Sequence, residues 1–326
     1  MKRILIIQTA FLGDVILATP VIAELKRIFP AAEIDFLLRK GNESLLSNNP
    51  HLRSVHILDK SKGKYKSIFS LIKTFKKERY DLAINLHRFG SSGLITTFCG
   101  ATKKYGFKKN PFSFFYSKKF DHTINNGKHE VERNLSIIHE FGAVEKRRPE
   151  LFPSETDFEI VSQIISDDQF YCMAPASVWF TKQLPKEKWI ELIDHYNQKG
   201  TVYLLGGKND QKLCDEIISA TQSKTSINLA GQLNLLESAA LMSQAKRNFV
   251  NDSGPLHISS SMNAPVTAFF CSTVTDFGFG PLSDDSIVQQ VASLDCRPCG
   301  LHGHKECPKG HFKCGFEIDL ALQDEA

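Results

Sequence analysis

Short apolar runs, each closed by a polar turn and followed by a helical pattern, recur along the whole of this 326-residue chain. Residues 4–7, 33–38, 54–58 and 82–86 read as buried strands. Residues 15–28, 68–75 and 129–141 carry helical periodicity. The pattern restarts with strands over 171–174, 201–205, 248–251 and 265–270. Helices are expected over 186–196, 210–220, 235–242 and 258–262. Strands alternating with helices at this spacing predict an α/β fold, with parallel sheets covered by helices on both faces. The charged, Pro-bearing segment Glu145-Lys146-Arg147-Arg148-Pro149, with Pro153 beyond it, is the candidate linker. It separates an expected domain of residues 1–155 from one of residues 156–326.

The hydrophobic share of 42% and charged share of 23% are those of a globular chain. No apolar run approaches the roughly 20 residues that span a bilayer. The start imitates a signal peptide, but Gln8, Thr9, Gly13 and Asp14 interrupt its apolar region, so a first strand and a cytoplasmic location are expected. The eight cysteines are then thiols or metal ligands rather than disulfides. Charge is uneven: residues 1–155 carry 27 Lys and Arg against 15 Asp and Glu, and residues 156–326 carry 13 against 21. The first half should therefore face something anionic. Within it, residues 103–120 interleave lysines, Lys108 and Lys109 among them, with Tyr105, Phe107, Phe112, Phe114, Phe115, Tyr116 and Phe120. Such a stretch suits an anionic membrane surface or RNA, or turns its aromatics into the core. A surface contact is the reading adopted.

The stretch Asn251-Asp252-Ser253-Gly254-Pro255-Leu256-His257 follows an apolar strand end and opens a helix. In open α/β sheets ligands bind there, and a helix start offers free N–H groups to a phosphate. An ordinary strand-turn-helix, with Asp252 or Ser253 as N-cap, fits equally well. Asp14 follows the first strand at the start of a helix. It fits a first-turn acid that complements the helix dipole, or a carboxylate able to take a proton from a hydroxyl. Thr181 and Lys182 stand in a loop after residues 171–174, where Lys182 is a phosphate clamp or one more surface lysine. Gly206-Gly207-Lys208-Asn209-Asp210 is Gly-rich but is neither a P-loop nor a dinucleotide fingerprint. Cys296, Cys299, Cys307 and Cys314, with His302, His304 and His311 among them, have the composition of a structural zinc site or of four reduced thiols in a compact tail.

Taken together, the chain resembles the family 9 glycosyltransferases, the ADP-heptose:lipopolysaccharide heptosyltransferases. The likeness rests on Gly13-Asp14-Val15, on the Lys182 loop followed by Pro185 and Trp189, on Gly206-Gly207, and on Asp252-Ser253-Gly254-Pro255-Leu256-His257. The Cys-rich tail, with Cys307-Pro308 and Gly310-His311, looks like the heptosyltransferase II branch. Leu184 departs from the tryptophan that many members carry before the proline.

The resemblance implies a GT-B architecture, two Rossmann-like domains with parallel sheets facing a central cleft. It implies an inverting transfer of heptose from ADP-heptose to the lipopolysaccharide inner core, without a catalytic metal or other cofactor. Asp14 would be the base. Thr181, Lys182, Asp210, Asp252, Ser253, Gly254 and His257 would serve the donor, with Asp210 at its ribose. Gly13, Arg88, Lys108 and Lys109 would serve the acceptor. A peripheral contact with the cytoplasmic face of the inner membrane follows, and no nucleic-acid partner. The alternatives are a nucleotide-sugar epimerase or a transferase of another sugar on the same fold, and a nucleic-acid-binding protein.

Overall fold

Strands buried on both faces need apolar side chains at every position rather than every second one. Ile4, Leu5, Ile6 and Ile7 meet that demand, and none is exposed to solvent. They form the first strand of a computed structural model that describes residues 1–145, 147–222, 225–320 and 322. The chain divides into two compact units, Met1–Phe152 and Pro153–Ala326.

The first unit runs β1 (Arg3–Ile7), α1 (Leu12–Ile16), α2 (Thr19–Ile28), β2 (Glu33–Arg39), β3 (Ser54–Leu58), α3 (Lys64–Glu78), β4 (Leu82–Asn85), α4 (Gly90–Phe98), β5 (Lys103–Phe107), β6 (Lys118–Phe120) and α5 (Glu130–Leu135). Its six strands form one parallel sheet in the order β3-β2-β1-β4-β5-β6. Leu5, Ile7, Ile68, Ile72, Phe75 and Tyr80 lie in the core between the sheet and the α3 side.

The second unit runs α6 (Glu155–Ser162), β7 (Phe170–Ala174), α7 (Lys186–Tyr196), β8 (Thr201–Leu204), α8 (Gln211–Ala220), β9 (Ile227–Asn228), α9 (Leu235–Gln244), β10 (Arg247–Asn251), α10 (Gly254–Ser261), β11 (Val266–Phe269), β12 (Ser286–Gln289) and α11 (Lys313–Phe316). Its parallel sheet has the order β12-β11-β10-β7-β8-β9. Tyr171, Trp189, Tyr196, Phe249 and Phe269 anchor its core. Each such side chain contributes roughly 1.5–3 kcal/mol by leaving water.

Both sheets thus have the Rossmann order. In each, the first strand has its fourth on one side and its second on the other. The order reverses between β1 and β4, and again between β7 and β10. Ligands of open parallel sheets bind at such reversals, outside the carboxyl ends of the strands.

Three expectations change. The single helix over 15–28 is two helices, because Pro20 has no N–H to continue the ladder. The Thr19 hydroxyl donates to the Ile16 carbonyl at 2.8 Å instead. The helix over 129–141 is α-helical only to Leu135, and Ser136–Phe141 tightens into 3-10 turns. The basic aromatic stretch supplies two strands, β5 and β6. Tyr105, Phe107 and Tyr116 are buried there, while Phe114 and Phe115 are 67% and 49% exposed.

The charged segment read as a linker is tied to the first unit. Arg147 pairs with the buried Glu24, and the Glu145 N–H donates to the same carboxylate. Lys146 lies outside the described residues.

Candidate active site

At the reversal in the first unit, the chain leaves β1 through Gln8 and Thr9, then enters α1. Asp14 stands in the first turn of that short helix, and the Phe11 N–H donates to its carboxylate at 3.2 Å. Its carboxyl is pushed up to about 6. Burial is the largest cause and the negative charge of Glu130 adds to it, against the Phe11 N–H and Arg88.

The contrast with Asp35 is instructive. That carboxyl is also buried, but Arg53, His56 and Tyr80 outweigh the burial and hold it well below the usual range. Asp35 is therefore a spent structural ion. Asp14 has no comparable cation, and it is a carboxylate whose proton affinity has been raised towards neutrality. That is the condition a general base needs.

Around Asp14 the carboxyl ends of the neighbouring strands gather positive charge. His87, just beyond β4, bonds the Thr9 hydroxyl through Nδ1 at 2.9 Å. Burial, and then Lys60, Arg88 and Arg39, push its pKa down to about 4. His87 is therefore neutral at pH 7. Arg39 lies over the exposed Phe11 ring at 5.3 Å, and Arg88 over the exposed Phe89 ring at 5.5 Å. Thr9, Arg39, Lys60 and His87 were not singled out from the sequence, because they converge only when β2, β3 and β4 are laid beside β1. Gly13 lies within α1. Lys108 and Lys109 are exposed just past β5, and Lys108 pairs with Asp121 at 2.8 Å.

At the reversal in the second unit, Asn251 ends β10 and stitches the edge together. Its side chain accepts from the Leu184 N–H at 2.8 Å and donates to the Pro175 carbonyl at 2.9 Å. This fixes the loop after β7 against the turn after β10. Asp252 is buried, and one of its oxygens receives both the Lys182 ammonium and the Thr273 hydroxyl, each at 2.6 Å. The turn then opens α10. Ser253 is its N-cap residue without a side-chain capping bond, and Pro255 occupies the first turn. Pro255 has no N–H and the Leu256 N–H donates to the Ser253 carbonyl at 3.2 Å, so the Gly254 N–H at the helix start, beside the fixed ammonium, is what this turn offers an anion.

Lys182, Asp252, Ser253 and Gly254 are thus brought to one edge. His257 is buried in α10, one turn further on. Thr181 is adjacent, but its buried hydroxyl takes the His304 N–H at 2.7 Å and bonds Ser272 at 3.0 Å. Asp210 stands past the end of β8, where the Gly207 N–H donates to it at 2.8 Å and holds the glycine turn. A surface depression bordered by Asp167, Lys199 and Thr225 flanks the amino ends of β7 and β8 and includes none of the motif residues.

The four tail cysteines stand near one another. The Cys299 thiol donates to the Cys296 carbonyl at 3.0 Å, and Cys296 lies 3.8 Å from the His311 ring nitrogen. Burial and then the thiols of Cys299, Cys307 and Cys296 push Cys314 up to about 11. For Cys307, burial opposes ionisation, but the N–H groups of Phe312, Lys309, Gly310 and His311 outweigh it. The donor set suits a thiolate-bound metal. Among the described residues, however, no three His, Cys, Asp or Glu side chains form a ready cage.

The family model described as glycosyltransferase family 9 (heptosyltransferase) matches residues 68–311. Over 284 residues the chain is 31% identical to "Lipopolysaccharide heptosyltransferase 3" of Escherichia coli strain K12, covering 80% of each. Its fold is similar to the solved structure of E. coli ADP-heptose lps heptosyltransferase II, with a TM-score of 0.79 and 23% identity over 92% of this chain and 96% of the other. It is also similar to E. coli heptosyltransferase WaaC with ADP-2-deoxy-2-fluoro heptose, with a TM-score of 0.71 and 17% identity over 88% and 92%.

Proposed function

The chain belongs to glycosyltransferase family 9, the heptosyltransferases, and on that premise we propose that it transfers heptose from ADP-heptose to a hydroxyl of the lipopolysaccharide inner core with inversion. The observation that carries this reading is the pairing of chemistries at the two sheet reversals. Asp14 has a raised proton affinity in one unit, and Lys182 with the α10 start forms an anion cradle in the other. Asp14 takes the proton of the acceptor hydroxyl. The acceptor oxygen then bonds to the anomeric carbon while the bond from that carbon to the β-phosphate oxygen breaks. The electron pair leaves with ADP. Lys182 and the Gly254 N–H at the start of α10 stabilise the charge that develops on the diphosphate, with no catalytic metal. Preorganised donors of this kind are commonly the largest rate term. Arg39, Lys60 and Arg88 hold the anionic groups of the acceptor.

Two further parts belong to the proposal. Cys296, Cys299, Cys307 and Cys314 are the residues that would hold a zinc ion, structural in role. The basic first unit, with Lys108, Lys109, Phe114 and Phe115 exposed, would rest on the cytoplasmic face of the inner membrane, where the acceptor is anchored. No helix among the described residues is long and apolar enough to cross a membrane.

The test is ADP release from ADP-heptose with and without an inner-core acceptor. Release that depends on the acceptor supports the transferase. Donor isomerisation without acceptor points to the epimerase reading. Lys182→Ala should weaken ADP binding about 10- to 100-fold, the size of a lost charge-assisted contact. Unchanged affinity by calorimetry would remove the lysine from the cradle.

A further inference from the structure

The Cys-bearing tail is built into the edge that carries Lys182 and Asp252. Phe312, Cys314, Ile318 and Leu320 are buried in the same core as Leu184 and Trp189. From that anchorage the tail reaches each member of the ion pair by a separate route.

The first route is through Gly303 and His304. The Thr181 N–H donates to the His304 carbonyl at 3.1 Å, and the His304 N–H returns a bond to the Thr181 hydroxyl at 2.7 Å. The Lys182 stem then lies across the bare Cα of Gly303. A Cβ on Gly303 would stand 2.9 Å from Lys182 Cγ, 3.1 Å from Thr181 Oγ1 and 3.2 Å from Trp179 Cβ.

The second route is through Arg297. Its guanidinium donates to the carbonyls of Cys271 at 2.7 Å, Thr273 at 2.6 Å and Val291 at 2.9 Å. Thr273, held in this way, donates its hydroxyl to Asp252.

We propose that Gly303, His304 and Arg297 are positioning residues for the Lys182–Asp252 pair, so that the tail sets the affinity for the donor's diphosphate. A free lysine side chain carries much rotamer entropy. A stem already laid on a flat backbone surface, with its ammonium held by Asp252, has given up much of that freedom before the donor arrives. The proposal rests on the reading of Lys182 and Asp252 as donor groups.

Two glycines of the tail allow a controlled test. Gly303 has φ +76° and its Cβ would meet Lys182, whereas Gly310 has φ +73° and nothing within 4 Å of its Cβ. Alanine strains the backbone similarly at both. Only Gly303→Ala pushes on Lys182. ADP binding to the full chain is measured by calorimetry, with melting temperatures to confirm folding. Gly303→Ala should weaken ADP binding about 5- to 20-fold and raise the KM for donor but not for acceptor. Gly310→Ala should stay within about twofold of the parent.

In a Lys182→Ala background, Gly303→Ala should add nothing, because its effect passes through that side chain. Parental ADP affinity in Gly303→Ala, equal weakening by Gly310→Ala, or additive effects in the double variant would overturn the proposal. If Lys182→Ala itself leaves ADP affinity intact, the donor assignment falls and this inference with it. If Lys182→Ala weakens binding and Gly303→Ala does not, only the inference falls.

Discussion

Asp14, at the start of α1, and the more deeply buried Asp35, in β2, share a residue type and a unit, yet their proton affinities move in opposite directions. The difference lies in their neighbours. Arg53 reaches Asp35 with a two-pronged contact, while burial and Glu130 outweigh the Phe11 N–H and the more distant Arg88 at Asp14. A carboxyl raised from 3.8 to about 6 stabilises the fold while protonated. That contribution is fully present below about pH 3.8 and is lost as the pH rises through about 6. Asp14→Asn removes it. Because the residue is partly exposed, the discounted effect is about 1–2 kcal/mol. Between pH 4 and 7.5 the stability of Asp14→Asn should therefore gain about that much relative to the parent, read by urea unfolding. A difference that stays flat across this range would show an unperturbed carboxyl. The position of Asp14 after the first strand was legible in the sequence. Its environment was not, because Glu130 and Arg88 reach it from distant parts of the chain.

Among elements, the strand-helix alternation was readable because parallel strands favour unbroken apolar runs, as at 4–7 and 82–84. The turn after β10 was readable as a helix start, because Gly254-Pro255 after a strand end suits a first helical turn. β5 and β6 were missed because they are short and lysine-rich, and their aromatics resemble a binding face until the sheet buries Tyr105 and Phe107. The break at Pro20 was in plain view, yet helical periodicity continued across it.

The tail was read from its cysteines alone, as a zinc site or four reduced thiols, and its packing was not read. In the structure Phe312 rests on Phe180 at 5.1 Å, and a Cβ on Gly315 would meet Pro185. If its four thiols close a zinc site, protein purified without added metal should carry about one equivalent of zinc. Replacing Cys299 with serine should lower both the metal content and the melting temperature. Metal-free protein with the parental melting temperature under reducing conditions would mark the cysteines as packing residues.

For the whole molecule, the family and the two Rossmann-like sheets could be read from motif order alone. The gathering of Arg39, Lys60, Arg88 and His87 could not, since it depends on strand order. The charge division between the halves adds a property of the entire chain: a basic first unit, which the proposed membrane contact would use. Co-sedimentation with vesicles containing anionic phospholipid should fall steeply with salt, and the Lys108→Glu/Lys109→Glu variant should bind less, at roughly 1 kcal/mol per charge. Equal binding to neutral vesicles would count against an electrostatic contact.

Most direct of all is a side-by-side measurement of transfer and donor binding in Asp14→Asn. The expected result is a loss of about 10²–10⁴-fold in turnover, with ADP affinity within about twofold of the parent and a folded chain. Parental turnover in that variant, or a loss of ADP binding that accounts for the whole defect, would contradict the assignment of Asp14 as the base.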